Sequence, residues 1–248
     1  MLFYSITIFF KINETSPNHI KKGGETKAFL GLLKDQWQSY TIIFQDKRFF
    51  LYILAGVFAI ITIMQLDLYL AVYITNHVPH QPLISWEEWS IFLSSTEILG
   101  WVLGLNGLLF VLFVLPVTKW LKGWKDRDIL ILSSVLAGAG MFAVGFTSHI
   151  WLLFLWTIIF TFGEMIRSPV INNFISTYAP AEARGRYMGA SNLQYTLGRF
   201  LAPITVLLSA WMPPVGVFSF ILVCGFISAG IYILVFQKLE KNKSIPPS

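Results

Sequence analysis

The sequence predicts an all-α, polytopic membrane protein with six transmembrane helices, and three observations predict it. Of 248 residues, 55% are hydrophobic and only 12% are charged, about half the charge of an ordinary soluble domain. The apolar residues gather in runs that reach or approach the ~20 residues needed to cross a ~30 Å hydrocarbon layer as a helix. Lys and Arg are confined almost entirely to every second gap between those runs, as expected of loops held on one side of a bilayer. The formal charge of +5 therefore reads as a topology signal, and no nucleic-acid partner is expected.

The elements follow in order. MLFYSITIFF (residues 1–10) lacks a basic flank and a small-residue cleavage site, so it does not read as a signal peptide. As a helix it would cover only ~15 Å, and it is read as the tail of a preceding helix. Residues 11–48 form a polar cytoplasmic inter-domain loop; its AFLGLLKDQWQSYTIIF stretch is amphipathic, suited either to the membrane surface or to a linker helix. The six spans are placed at about 49–75, 99–118, 129–147, 150–171, 189–211 and 215–236, and residues 237–248 form a tail. Segments 11–48, 119–128, 172–188 and 237–248 hold seven, four, two and three Lys or Arg, whereas 76–98, 148–149 and 212–214 hold none. The positive-inside rule then puts both ends in the cytoplasm, in a plasma-membrane protein. The outer segment 76–98 carries SWEEWSIF, whose tryptophans and acids suit an interfacial anchor, with a substrate gate as the alternative.

Metal and redox chemistry find little to work with. Cys224 is the single cysteine, which excludes an intramolecular disulfide and a cysteine-based metal site. His19, His77, His80 and His149 fall in loops, and the H-V-P-H pair brings no companion ligand. No catalytic residue, metal or cofactor is expected, and a membrane enzyme is disfavoured.

Two stretches carry a family resemblance. LGWVLGLNGLLFVLFVLPVTKWLKGWKDRD (99–128) ends in a proline and a short basic turn, and GEMIRSP is followed by YAPAEARGRYMGASNLQYTLGRFLAP (163–169 and 178–203). Together with the order of helix tail, basic loop and six spans, they resemble the C-terminal six-helix half of a major facilitator superfamily transporter, nearest in wording to its drug-exporter branch. The glycine-rich Asp-Arg-Gly-Arg loop of that family is absent, and the turn at 119–128 only echoes it, which fits a C-terminal half. The resemblance implies a 3+3 inverted repeat, a cavity between two halves, and a missing N-terminal six-helix half as partner beside the lipid bilayer, a small-molecule substrate and a proton.

Charges inside apolar runs mark the candidate site, because a charge at the bilayer centre costs from ~2.5 kcal/mol upward and so faces a wet cavity or a partner. Glu164 lies ~10 Å from the cytoplasmic end of its predicted span and Arg199 ~15 Å into its own. Arg167, about a turn from the end, is placed to extend its guanidinium to the surface and shares a helix face with Glu164. Two readings of Glu164 stand side by side: a structural acid held ionised by Arg167 or Arg199, or a coupling acid in a dry pocket. Asp67, near the outer end of the first span, pairs with Glu164 as the second acid flanking the path, in spans the resemblance makes repeat counterparts. Gln65 and Asn106 are amides suited to helix packing or substrate contact. Arg184 and Arg186 set topology at the entry to the fifth span, with a cytoplasmic gate as a further role. Pro116, Pro169 and Pro203 are expected to kink their helices, and the glycines around Gly138–Gly145 and Gly185–Gly189 to let helices approach. The functional expectation is proton-coupled export of amphipathic compounds or drugs; alternatives are a nutrient or peptide importer of the same fold, or a truncated, non-transporting remnant.

Overall fold

A computed structural model describes residues 45–87 and 89–243. The expected helix tail at 1–10, most of the 11–48 loop and the last residues of the tail lie outside the described residues. Five helical stretches are long and apolar enough to cross a membrane: Lys47–His77, Ser95–Trp120, Asp126–Val144, Ile150–Tyr178 and Pro214–Glu240. The remaining crossing is segmented.

The first crossing begins where Asp46 accepts hydrogen bonds from the backbone N–H groups of Arg48 and Phe49, both at 3.1 Å, which satisfies two of the donors a helix start leaves open. Helix α1 (Lys47–Ile63) tightens into a 3₁₀ turn (Met64–Leu66) and breaks at Leu68, where φ −105° and ψ −91° leave the helical region. Helix α2 (Tyr69–His77) completes the crossing. The predicted single rod is therefore bent at Asp67–Leu68. After it comes an element that the all-α expectation did not include: an antiparallel hairpin of β1 (Gln81–Trp86) and β2 (Trp89–Leu93), closed by Glu87 at φ 47°. Its tip carries Trp86 and Trp89, 73% and 59% exposed.

Helix α3 (Ser95–Trp120) opens on a capping box in which Ser94 and Glu97 satisfy each other's backbone. It ends in a turn that needs Gly123 at φ 96°. Helix α4 (Asp126–Val144) and helix α5 (Ile150–Tyr178) are joined by a short turn, and α5 stops just before Pro180. Because α5 reaches Tyr178, it runs two turns past the predicted boundary at 171. The segmented crossing comprises α6 (Arg184–Ser191), α7 (Leu193–Leu201) and α8 (Ile204–Leu208). The junction residues Asn192, Ala202 and Pro203 all keep right-handed helical dihedrals, so the chain keeps its course while losing regular hydrogen bonds. Helix α9 (Pro214–Lys243) begins with proline at its first position.

Helix α9 packs on α1 and α4, α4 on α5, α5 on α3, and α1 on α7. Close approach depends on small residues. A Cβ at Gly163 would lie 2.5 Å from the backbone N of Ala137, and one at Gly225 would lie 2.9 Å from the carbonyl of Ser134. Polar groups fill the same seams: Ser133 Oγ donates to Gly163 O at 2.6 Å, and Ser228 Oγ to Ala55 O at 2.8 Å. The apolar core forms two layers along the bundle axis, one around Phe49, Tyr52, Phe174 and Tyr232, the other around Tyr69, Tyr73, Ile98 and Phe218. Helix α3 stands apart from both. Only 17% of its apolar window is buried, against 72% for Lys47–His77.

The two ends are tied differently. At the end that carries the basic turns, Asp46 also accepts from Tyr178 Oη (2.8 and 2.9 Å) and Tyr187 Oη (3.0 Å), so one carboxylate joins α1, α5 and α6. At the other end Gln81 clips the hairpin to the α4–α5 turn, donating to Ser148 O at 2.7 Å and accepting from Ile150 N at 3.1 Å.

Candidate functional site

Helix α5 places Thr157, Thr161, Glu164 and Ser168 at intervals of three and four, hence along one flank. Thr157 and Thr161 donate to the carbonyls one turn back, at 2.7 Å each, which leaves the Thr161 oxygen free to accept. Asn106 of α3 uses this arrangement: its amide donates to Thr161 Oγ1 at 3.0 Å and to Glu164 Oε2 at 3.3 Å. Glu164 is half-buried and lines a cavity of about 180 Å³ with Ile60, Ile63 and Met64 of the first crossing, Phe110 of α3, Arg167, Ser168 and Ile171 of α5, and Tyr195 and Arg199 of α7.

Arg167 occupies another place than its predicted depth implied. With α5 extended to Tyr178, it lies eleven residues from the helix end, or ~16 Å, out of reach of the surface. The residue is 2% exposed. Its Nη2 donates to Gln194 Oε1 at 3.1 Å and to Tyr232 Oη at 2.8 Å, and its Cζ stands 5.5 Å from the centre of the Tyr232 ring, within cation–π range. Its Nε and Nη1, the Gln194 Nε2 and the Tyr52 hydroxyl are buried without a hydrogen-bond partner. Each such orphan costs about 1–3 kcal/mol in a folded protein, so this cluster is unusual.

The ion pair that the structural-acid reading of Glu164 requires is not formed with Arg167 or Arg199. Among the described residues the ion pairs are Arg127–Asp128 at 2.9 Å and Arg127–Glu240 at 3.4 Å. Glu164 keeps a neutral amide as its partner, and Arg199, exposed on α7, lines the cavity wall. Asp67 is exposed at the helix break and does not line the cavity. Gln65 is fully buried and fully used: Nε2 donates to Ile61 O (2.7 Å) and Ala202 O (3.3 Å), and Oε1 accepts from Thr205 (2.6 Å). It fastens the first crossing to α8. Arg184 and Arg186 are exposed on α6. The structure thus brings together Glu164, Asn106, Arg167 and Arg199, and sets Asp67, Gln65, Arg184 and Arg186 outside the cavity.

Tyr52, Gln194 and Tyr232 escaped the sequence reading. Each is one polar-tipped residue in an apolar run, and they meet only because α1, α7 and α9 pack around Arg167. The nearest sequence signal was Arg167 itself, since a buried guanidinium requires acceptors nearby.

What the fold and cavity define is a helical membrane domain with an ionisable site inside it. The family model describing the Major Facilitator Superfamily matches residues 1–203 and 80–248. The chain belongs to that superfamily. A relative described as a Na(+), Li(+), K(+)/H(+) antiporter from Planococcus maritimus is 31% identical over 223 residues, covering 89% of this chain and 52% of the relative. Multidrug resistance protein MdtH of Escherichia coli (strain SE11) is 25% identical over 162 residues, covering 65% and 37%. A crystal structure of a POT family transporter in complex with 5-aminolevulinic acid has the same fold at a TM-score of 0.62 and 16% identity, covering 83% of this chain and 45% of that one. The chain spans about half the length, or less, of the curated relatives it matches.

Proposed function

We propose that this chain is the C-terminal six-helix half of a proton-coupled secondary transporter that exports amphipathic small molecules by alternating access. It acts with an N-terminal six-helix half, in the cell membrane, with the basic turns and both ends in the cytoplasm. The observation that carries this reading is Glu164, a carboxyl group in a membrane-depth cavity whose partner is the neutral Asn106 rather than a cation. A carboxylate locked to an arginine would be held in one charge state; one held by an amide can take up and release a proton while its neighbour stays in place. The description of the Planococcus relative as a cation/proton antiporter and of MdtH as a multidrug resistance protein supports proton coupling and export. The exposed apolar faces of α3 and α7–α8, including Val111, Leu115, Phe200 and Leu207, supply surface for a second bundle and for lipid.

The test is flux in proteoliposomes holding the full chain, alone and with a co-expressed N-terminal half, under an imposed pH gradient. Movement of an amphipathic dye coupled to internal pH is expected with both halves present, and Glu164→Gln is expected to abolish the coupling. Coupled flux that persists in Glu164→Gln would refute the role of this carboxyl group.

A further inference from the structure

We infer that the buried group around Arg167 is an oxyanion site, built to receive the carboxylate of a solute that enters the Glu164 cavity. The argument starts from donors. Arginine offers five N–H bonds and no acceptor, so its contact with Gln194 fixes that amide with Oε1 toward the guanidinium and Nε2 turned away. Nε2 then requires an acceptor of its own and has none; nor do Arg167 Nε and Nη1. The Tyr52 hydroxyl belongs to the same group, its ring set against that of Tyr232, 5.8 Å between centres, and Tyr232 Oη accepts from Arg167. Three unfilled donor nitrogens on two side chains and one unfilled hydroxyl ask for an acceptor with several lone pairs, which a carboxylate supplies.

Charge agrees with this. Arg167 and Arg199 against Glu164 leave the cavity lining with one excess positive charge. Arg167 is the residue shared by the cavity lining and the buried group, so a solute in the cavity meets this residue first and reaches the unfilled donors, which are themselves buried, by opening the group from that side. Gly56 makes the arrangement possible: a Cβ there would collide with the Gln194 side chain and drive it off the guanidinium. Glu164, one turn away on the same helix, is the other carboxylate within the cavity and so a competing source of the same chemistry.

The inference rests on reading this cavity as part of a solute path. Binding is measured instead of flux, so that a chain that transports nothing still reports on the site. The full chain in lipid nanodiscs is dialysed to equilibrium against radiolabelled benzoate, with benzyl alcohol as the uncharged isostere. Saturable binding of benzoate and none of benzyl alcohol is expected, weakened at least tenfold by Arg167→Gln and less by Gln194→Leu or Tyr52→Phe. If the unmodified chain binds no benzoate but Glu164→Gln does, the oxyanion site stands and the charge of Glu164 is what keeps benzoate out of it. The site is refuted if neither binds benzoate, if both probes bind alike, or if binding survives in Gln194→Leu and Arg167→Gln unchanged. Should Arg167→Gln fail to fold, Gln194→Leu and the comparison of the two probes on the unmodified chain decide.

Discussion

Replacing Gly163 by alanine tests whether backbone contact is what fixes the α4–α5 crossing. A Cβ at this position would stand 2.5 Å from the Ala137 backbone nitrogen and 3.0 Å from both the Ser133 carbonyl and the Leu136 Cβ. Two of these three neighbours are main chain, which no rotamer change can move aside. Relief requires α4 and α5 to part by roughly 1 Å, and overpacking of this kind costs about 1–3 kcal/mol. The Ser133 Oγ to Gly163 O bond, 2.6 Å long, is stretched by the same movement, adding ~0.6 kcal/mol on the average for such bonds between membrane helices. Against this, alanine gains about 0.8–1 kcal/mol over glycine in helix propensity. A net loss of about 2 kcal/mol remains, roughly thirtyfold in the folding equilibrium at 1.4 kcal/mol per tenfold. The assay is equilibrium unfolding in mixed micelles, followed by circular dichroism. Gly104→Ala is the control, because nothing lies within 4 Å of the Cβ it would add; it is expected to be neutral or stabilising by up to ~1 kcal/mol. If Gly163→Ala proves as stable as Gly104→Ala, the claim that backbone contact fixes this crossing is wrong.

Three further outcomes are expected. Asp46→Ala removes the α1 cap and the acceptor shared by Tyr178 and Tyr187, and should cost about 1–3 kcal/mol in the same unfolding assay. Asp46→Ala combined with Tyr178→Phe should cost less than the sum of the two single changes; strict additivity would show that the contact contributes nothing. Gln65→Leu should destabilise the fold by about 1–3 kcal/mol, because it deprives Thr205 of its 2.6 Å acceptor and cuts the link to Ala202, yet leave benzoate binding within twofold; a loss of binding with unchanged stability would place Gln65 in the site after all. Gln81→Ala removes the Gln81 clip on the α4–α5 turn and leaves the Trp151 Nε1 to Leu83 O bond as the remaining tie, so amide exchange at Ile150 should accelerate while exchange in the α1–α9 seam stays unchanged; unchanged protection at Ile150 would show that the clip holds nothing.

The particular site residues show what a linear reading can reach. Glu164 and Arg167 were conspicuous because each is a charge in an apolar run, and intramembrane cost alone flags them. Asn106 stood out as an amide in an apolar run, but nothing tied it to Glu164, 58 positions away. Gln194 and Tyr232, 27 and 65 positions from Arg167, were not conspicuous. The i, i+3 spacing of Glu164 and Arg167 predicted a shared face, but the two heads turn to different neighbours, α3 for the acid and α7 with α9 for the base. Arg167 was also misplaced in depth, because apolarity fell away after residue 171 while the helix, shielded by α1 and α9, continued to Tyr178.

Composition, the length of the apolar runs and the placement of basic residues were enough to establish a helical membrane domain, because bilayer thickness and backbone hydrogen bonding admit few other solutions. The bend at Asp67–Leu68, the segmentation at Asn192 and Ala202, the Gln81 hairpin and the pairing of donors around Arg167 came only with the packed bundle. Each depends on which helix faces which, and that choice is made by contacts across tens of residues, such as Gly56 against Gln194 and Gly163 against Ala137, whose energies no local window contains.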